Sequence, residues 1–357
     1  MFTKHYTYVT GTVREGGSSR ALAFLNITAK LGVKQIIFAN RSRLGRLFEG
    51  FKLFISLLFL KNEVILIHYS VFPSIFSQHV VSNALFSYFI KILLRFCGLR
   101  NVVYIEVNDL PYEQALDLEL PKNKMNVFDR NIFTQKDLYF IFASVEMARY
   151  AEIKYSIKKS KVSYLINGAN MPLENEVSTW FSHDGFGLAF VYAGTLNRGR
   201  QIEDMIREFI GTNHSLILLG VGGSWIKSEY NQNENIFYLG SYPEKKAQNI
   251  VRQCDVGLIP YDENRFYYNI CYPTKASFYA ASGLPILSTP LKELKNHFTE
   301  ETAFFAPLSE WGSLLSDPNL PIKAKVMAST VLDKTSQNFY WDNLWDIWLD
   351  ENMSVSD

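Results

Sequence analysis

The segment from Cys254 to Thr289 constrains the fold more than any other part of the chain. It reads Cys254-Asp-Val-Gly-Leu-Ile-Pro-Tyr261, continues through Tyr267-Tyr-Asn-Ile-Cys-Tyr-Pro-Thr-Lys275 and closes with Ala280-Ala-Ser-Gly-Leu-Pro-Ile-Leu-Ser-Thr289. This order predicts a buried strand over 256–260, a polar aromatic loop, a short helix over about 274–281, a Gly-Pro turn and a second buried strand. Short apolar runs without polar alternation, bounded by Gly and Pro, suit a parallel sheet covered on both faces. Ligands of such sheets bind beyond the carboxyl ends of the strands. The loop leaving Pro260 and the helix opening at Thr274 therefore face a ligand. Lys275, in the first turn of that helix, adds a cation to a helix end already suited to anions.

At 357 residues the chain exceeds one typical core, so two domains are expected. A polar stretch from Met171 to Gly185 is the natural linker. The boundaries follow as 1–172 for a first α/β domain, 186–333 for a second, and 334–357 for a terminal helix that crosses back to the first. The three cysteines (Cys97, Cys254, Cys271) have no metal-ligand spacing and cannot pair completely, which favours a reducing compartment. The amino terminus lacks the apolar run of a signal peptide, and no uninterrupted apolar segment reaches the ~18–20 residues of a membrane span. A cytoplasmic protein is expected.

Charge is distributed unevenly. Residues 1–170 hold 22 Lys and Arg against 12 Asp and Glu, whereas residues 171–357 hold 14 against 23. Such a split points to an anionic surface facing the first half. Arg41, Arg43, Arg46 and Lys52 lead into the apolar 51–60, a helix with a basic edge. The pattern suits either peripheral contact with the anionic inner face of a membrane or a plain core helix, the charge split then reflecting two solvated faces that attract each other. Nucleic acid is disfavoured by the acidic second half.

In the first half, a strand over 6–10 leads through Gly11-Thr-Val-Arg-Glu-Gly-Gly-Ser-Ser-Arg20 into a helix, a unit in which backbone amides approach an anionic or sugar ligand. The spacing is neither that of a dinucleotide fingerprint nor that of a P-loop. His68 ends a buried strand, 64–68, and reads as structural. Glu106-Val-Asn-Asp-Leu-Pro-Tyr-Glu113 leaves the strand 101–107 and supplies carboxylates for acid/base work, Asp109 and Glu106 foremost. In the second half, Gly194-Thr-Leu-Asn-Arg-Gly-Arg200 runs directly into a helix. Its backbone N–H groups, with Arg198 and Arg200 as forked donors, suit a diphosphate. Near the end, Trp341, Trp345 and Trp348 share one helical face and read as core.

Taken in order, these motifs resemble the GT-B glycosyltransferases, especially family 4. The likeness rests on the Gly-Gly loop, the acidic strand end, Ser144 and Met147, the Asn167-Gly168 turn, the Gly-x-Leu loop with its Arg residues, Asp-Val-Gly-Leu-x-Pro, Pro-x-Lys and Gly-x-Pro. It covers most of the chain. The set Asn-x-x-x-Pro-x-Lys with a Ser-Gly-Leu-Pro turn is also similar to bacterial surface-glycan and adhesin glucosyltransferases and galactofuranosyltransferases. The resemblance implies two Rossmann-like doubly wound domains facing across a cleft. It places Gly16 and Gly17, with Glu15 and Arg20, against the donor's sugar and phosphates. It gives Gly194, Thr195, Arg198, Arg200 and Lys275 the leaving pyrophosphate, and Gly240, Ser241 and Tyr242 the nucleobase.

The sequence departs from that pattern in two places. Asn108 stands where the family often has His, which makes Asp109 the first choice of base. The family's two carboxylates fall at Ile270 and Phe278, leaving Asn269, Thr274 and Ser277 as hydrogen-bonding substitutes. The implied activity is sugar transfer from a nucleotide diphosphate sugar, a UDP-sugar foremost, to a saccharide or lipid-linked saccharide in surface polysaccharide or glycoprotein synthesis. No cofactor is implied and, without Asp-x-Asp, no bound metal. A UDP-sugar epimerase and a non-catalytic nucleotide-sugar-binding subunit are the alternatives.

Overall fold

The computed structural model describes residues 1–9, 16–39, 42–121, 123–172, 185–199 and 201–353. They divide into two compact units, one of residues 1–166 with the segment from Leu344, the other of residues 167–343. Each is a six-stranded, wholly parallel sheet with helical crossovers.

The first unit contains β1 (Lys4–Tyr8), β2 (Lys34–Phe38), β3 (Val64–His68), β4 (Val102–Val107), β5 (Leu138–Phe142) and β6 (Val162–Tyr164), in the spatial order β2-β1-β3-β4-β5-β6. Central strands buried on both faces read as unbroken apolar runs, as in Val-Ile-Leu-Ile of β3. The order reverses between β1 and β3. The cavity of this unit lies at the carboxyl ends of these strands and of β4, where a doubly wound sheet leaves a crevice. Trp345 and Trp348 of the helix Trp341–Met353 are core here. Trp348 stacks on Phe2 (centroids 5.9 Å apart) and donates Nε1–H to Ser163 Oγ (3.2 Å), and Trp345 meets Phe24 edge-on at 5.0 Å.

Behind this core, Tyr69 donates its hydroxyl hydrogen to Oδ1 of the buried Asp129. Burial pushes the Asp129 carboxyl up to about 8. The unfolded chain releases this proton near 3.8 while the folded chain keeps it to about 8, so stability declines as pH rises through that window. Asp129→Asn keeps the Oδ1 acceptor and removes the decline. Melts are expected to converge near pH 4 and to separate by about 5 °C or more, variant higher, above pH 8.

The second unit contains β7 (Ala189–Ala193), β8 (Ser215–Leu219), β9 (Ile236–Gly240), β10 (Val256–Ile259), β11 (Ile286–Ser288) and β12 (Ala303–Phe305), ordered β12-β11-β10-β7-β8-β9. Its first strand is central, and the order reverses between β7 and β10. Gly257 of β10 lies under the Tyr279 ring, where a Cβ would come within 2.2 Å of ring carbon Cγ. The Tyr279 hydroxyl accepts the Ala193 N–H at 2.8 Å and so fixes the end of β7.

The unit boundary falls at Asn167, ahead of the polar stretch expected to separate the domains. Residues 167–170 are held by the second unit: Ser277 Oγ donates to the Asn167 carbonyl (2.5 Å), Gln248 to the Asn170 carbonyl (2.9 Å), and Ala169 exchanges backbone hydrogen bonds with Phe339 and Trp341. The return also comes at Leu344 and not at 334, because the turn around Phe339 belongs to those bonds. Among the described residues no helix is long and apolar enough to cross a membrane.

Candidate active site

At the reversal point of the second unit, the loop after β7 and the helix Thr274–Ala281 meet. Gly194 N–H donates to Leu219 O and Leu196 N–H to Val221 O, both at 2.8 Å, so the loop keeps pairing past the strand ends. Gly220 N–H in turn donates to Gly240 O at 2.8 Å. Two glycines are required sterically. A Cβ on Gly194 would lie 2.4 Å from Lys275 Cε, and one on Gly220, whose φ is +146°, would lie 1.7 Å from the Gly194 carbonyl oxygen. The absence of side chains lets Lys275 reach over the backbone of Gly194.

Lys275 is half-buried, and its ammonium donates to the Tyr261 hydroxyl at 2.9 Å. It lies 5.0 Å and 5.1 Å from the ring centroids of Tyr192 and Tyr261. Among the described residues no carboxylate comes within 4.0 Å of it. A cation held by aromatic faces and a hydroxyl, on the first turn of a helix and beyond the carboxyl ends of a parallel sheet, has the chemistry to receive an anion. Tyr192 and Tyr261 were not anticipated as its supports. The signal was the Pro260-Tyr261 step at a strand end, where an aromatic has no core to enter.

The other expected donor-side residues are placed differently. Arg198 is exposed and pairs with Glu229 and, at 3.7 Å, with Glu203, its guanidinium lying 4.4 Å from the Trp225 ring. The Thr195 carbonyl accepts from the Tyr192 hydroxyl (3.2 Å). Asn269 is occupied within its own loop, donating to Glu263 O and Arg265 O and accepting from Lys292 N–H. Ser277 is fully buried against Asn167 and Tyr272 and faces no open space. Thr274 is exposed at the helix start and Ser241 is exposed after β9, while the Tyr242 ring carries the Lys246 ammonium at 4.6 Å. Gly240 has φ +86° with nothing within 4 Å of a built Cβ, leaving the backbone open there. Gly16 and Gly17 begin the helix Gly16–Lys30. Glu15 and Arg200 lie outside the described residues.

The first unit holds a cavity of about 330 Å³ at the ends of β1, β3 and β4, with Tyr8, His68, Tyr69, Asn108 and Asp109 on its wall. Glu106 was expected to share acid/base work with Asp109, but its surroundings are those of a buried ion pair. Arg20 Nε donates to Oε1 at 2.6 Å and His68 Nδ1 lies 2.8 Å from Oε2, all three side chains being buried. Burial alone would raise this carboxyl, but Arg20 and His68 outweigh it and hold it at about 2. Such a group takes up no proton near neutrality. Beyond it, His68 Nε2 meets His5 Nε2 at 2.8 Å and His5 Nδ1 meets Thr28 Oγ1 at 2.9 Å, a chain running away from the cavity. Asp109 is half-buried, with one oxygen accepting from Asn108 Nδ2 at 2.6 Å. Among the described residues no group of three His, Cys, Asp or Glu could hold a metal ion.

The sequence matches no protein family and no curated protein. Solved structures match over its whole length. HepE of Anabaena in complex with UDP aligns at TM-score 0.68 and 12% identity, covering 99% of this chain and 100% of that one. The fold is GT-B. The same HepE with UDP-glucose aligns at TM-score 0.63 and 13% identity over 99% and 100% of the two chains. The lipopolysaccharide outer core galactosyltransferase WaaB aligns at 0.60 and 10%, over 98% and 99%. At such identities the likeness carries the GT-B architecture and not the site chemistry.

Proposed function

We propose that this GT-B chain transfers a sugar from a nucleotide diphosphate sugar to a hydroxyl of a saccharide or lipid-linked saccharide. The observation that carries this reading is Lys275, a cation with no carboxylate partner among the described residues, held over Gly194 at the reversal point of the second sheet. Breaking a glycosyl–phosphate bond leaves negative charge on the diphosphate while positive charge grows on the sugar carbon. A fixed cation and a helix amino terminus at the leaving oxygens lower that barrier because they need no reorganisation when the charge appears. In this reading Gly194 leaves room for Lys275 above its backbone, Thr195 lies beside the diphosphate, and Gly240, Ser241 and Tyr242 border the base. Arg198 adds a second cation. Its exposed pair with Glu229 contributes ~0–1 kcal/mol, little enough for a phosphate to displace. A UDP-sugar is the favoured donor, since HepE of the same fold is described with UDP and UDP-glucose bound.

The acceptor hydroxyl is assigned to the cavity of the first unit, with Asp109 taking its proton. Glu106, held ionised, positions His68 and Arg20 on the wall. Asp109→Asn is expected to lower kcat by about two to four orders of magnitude while leaving nucleotide binding within about twofold. Unchanged kcat would remove Asp109 from the chemistry.

The reading is tested by thermal shift with UDP-, GDP-, dTDP- and CMP-sugars, followed by an assay for released and transferred sugar. Transfer that needs a saccharide acceptor supports it. Turnover of the sugar nucleotide without acceptor would make the chain an epimerase. Tight binding without any turnover would make it a nucleotide-sugar-binding subunit.

A further inference from the structure

The helix Arg43–Phe59 buries Gly50, Leu53 and Leu57, which fixes the face packed on the first unit. The opposite face is also apolar. Leu44, Leu47, Phe48, Phe51, Ile55 and Phe59 are all exposed, Leu44 by 81% and Phe48 by 72%. At about 100° per residue they fall within an arc of about 120° pointing away from the buried residues. The neighbouring helix Ala84–Gly98 repeats the pattern. It buries Ile90, Leu94 and Cys97 and leaves Leu85, Tyr88, Phe89, Ile92 and Phe96 exposed, again at spacings of three and four. The two helices touch through Phe54 and Phe89 (ring centroids 5.2 Å apart), and Arg100 joins their ends by donating to Leu58 O and lying 3.8 Å over the Phe96 ring. The exposed stripes thus belong to one connected surface. Soluble chains rarely leave a contiguous apolar patch of this kind uncovered.

We infer that this two-helix face docks on an anionic lipid surface, lying in the interface and not spanning it. The charge on the two helices selects the occupant. Exposed beside the stripes are Arg43, Lys52 and Arg95, with no exposed carboxylate on either helix, while Arg46 turns to the packed side with its Nε buried. A second copy of the chain meeting this face symmetrically would set these cations against one another. Anionic headgroups would neutralise them while the apolar side chains enter the acyl boundary and the longer basic stems reach back to the headgroups. Neither helix is long and apolar enough to cross a bilayer. The inference is independent of sugar transfer, and its test needs no enzymatic activity.

The full chain is to be sedimented with phosphatidylcholine vesicles, with and without about 30% phosphatidylglycerol, at low salt and at about 0.5 M salt. Binding to the anionic vesicles, lost at high salt and absent with phosphatidylcholine alone, is expected. Phe48→Ser/Phe51→Ser/Ile92→Ser, at three exposed positions, is expected to weaken it by at least about tenfold with an unchanged melting curve. Lys52→Gln/Arg95→Gln is expected to weaken it by about thirtyfold. Failure of the wild type to sediment, or equal binding by both variants, would overturn the inference. So would a dimer in light scattering that the triple variant dissolves without any vesicle binding, which would make the face an interface between copies.

Discussion

Replacing Lys275 by Met is expected to lower kcat for sugar transfer by two to three orders of magnitude, about 3–4 kcal/mol of transition-state stabilisation, as removal of one preorganised donor does elsewhere. Methionine keeps a long unbranched stem that packs over Gly194 and between Tyr192 and Tyr261, so the fold and its melting temperature stay near wild type. The charge is what is lost. Because that charge matters most when the diphosphate leaves, kcat falls more than KM rises. Arg198→Ala should produce a smaller loss, about tenfold, since its guanidinium is exposed and shared with Glu229. Steady-state kinetics with the donor found by thermal shift decides the matter. A Lys275→Met enzyme within threefold of wild type would exclude this lysine from the leaving-group site.

The largest expected effect on stability is that of Glu106→Gln. Arg20 and Glu106 are both nearly inaccessible, and removing one charge leaves the other buried and uncompensated at a cost of about 3–5 kcal/mol. Loss of the pair as a whole costs less, so Arg20→Leu/Glu106→Leu should recover part of what Glu106→Gln loses. The sign of the pH dependence follows from the carboxyl being held at about 2, against 4.5 for an ordinary Glu. Its contribution is complete above pH 4.5 and disappears as pH falls towards 2. Denaturant melts of wild type should therefore lose stability steeply across that interval, and those of Glu106→Gln less so. Parallel acid limbs would show that the ion pair does not govern this part of the curve.

The strands were legible in the sequence because buried parallel strands are written as short apolar runs between turn residues. The expected 64–68 and 256–260 differ from β3 and β10 by at most one residue. Gly194 was legible for a similar reason, following directly on such a run, and Lys275 because Pro273-Thr274 marks the start of a helix. What the sequence could not disclose was pairing across distance. Nothing near Arg198 announces that Glu229 and Trp225, on a later helix, will hold it. Glu106 at the end of β4 and Asp109 in the turn after it both line the cavity, yet Glu106 is buried in its pair with Arg20 and His68 while Asp109 is half-exposed. Strand alternation was masked because β4 is buried along nearly its whole length. The helix Arg43–Phe59 was half-read for a different reason. With apolar residues on both faces, periodicity alone does not say which face is packed.

The close crossing of Gly220 and Gly194 has a consequence for how such a chain can diversify. The Gly194 carbonyl occupies the place of any Cβ at 220, so the ends of β7 and β8 are joined main chain to main chain. The N–H groups at this crossing are spent on the junction itself, Gly194 on Leu219 O and Gly220 on Gly240 O, so the crossing supplies a fixed floor and leaves contact with any anion to Lys275 above it. Residues 195–198 and 241–242 can then vary without disturbing the backbone floor under Lys275, whereas positions 194 and 220 are confined to glycine. Placement and chemistry are thereby divided, the one fixed by backbone and the other open to change in the side chains.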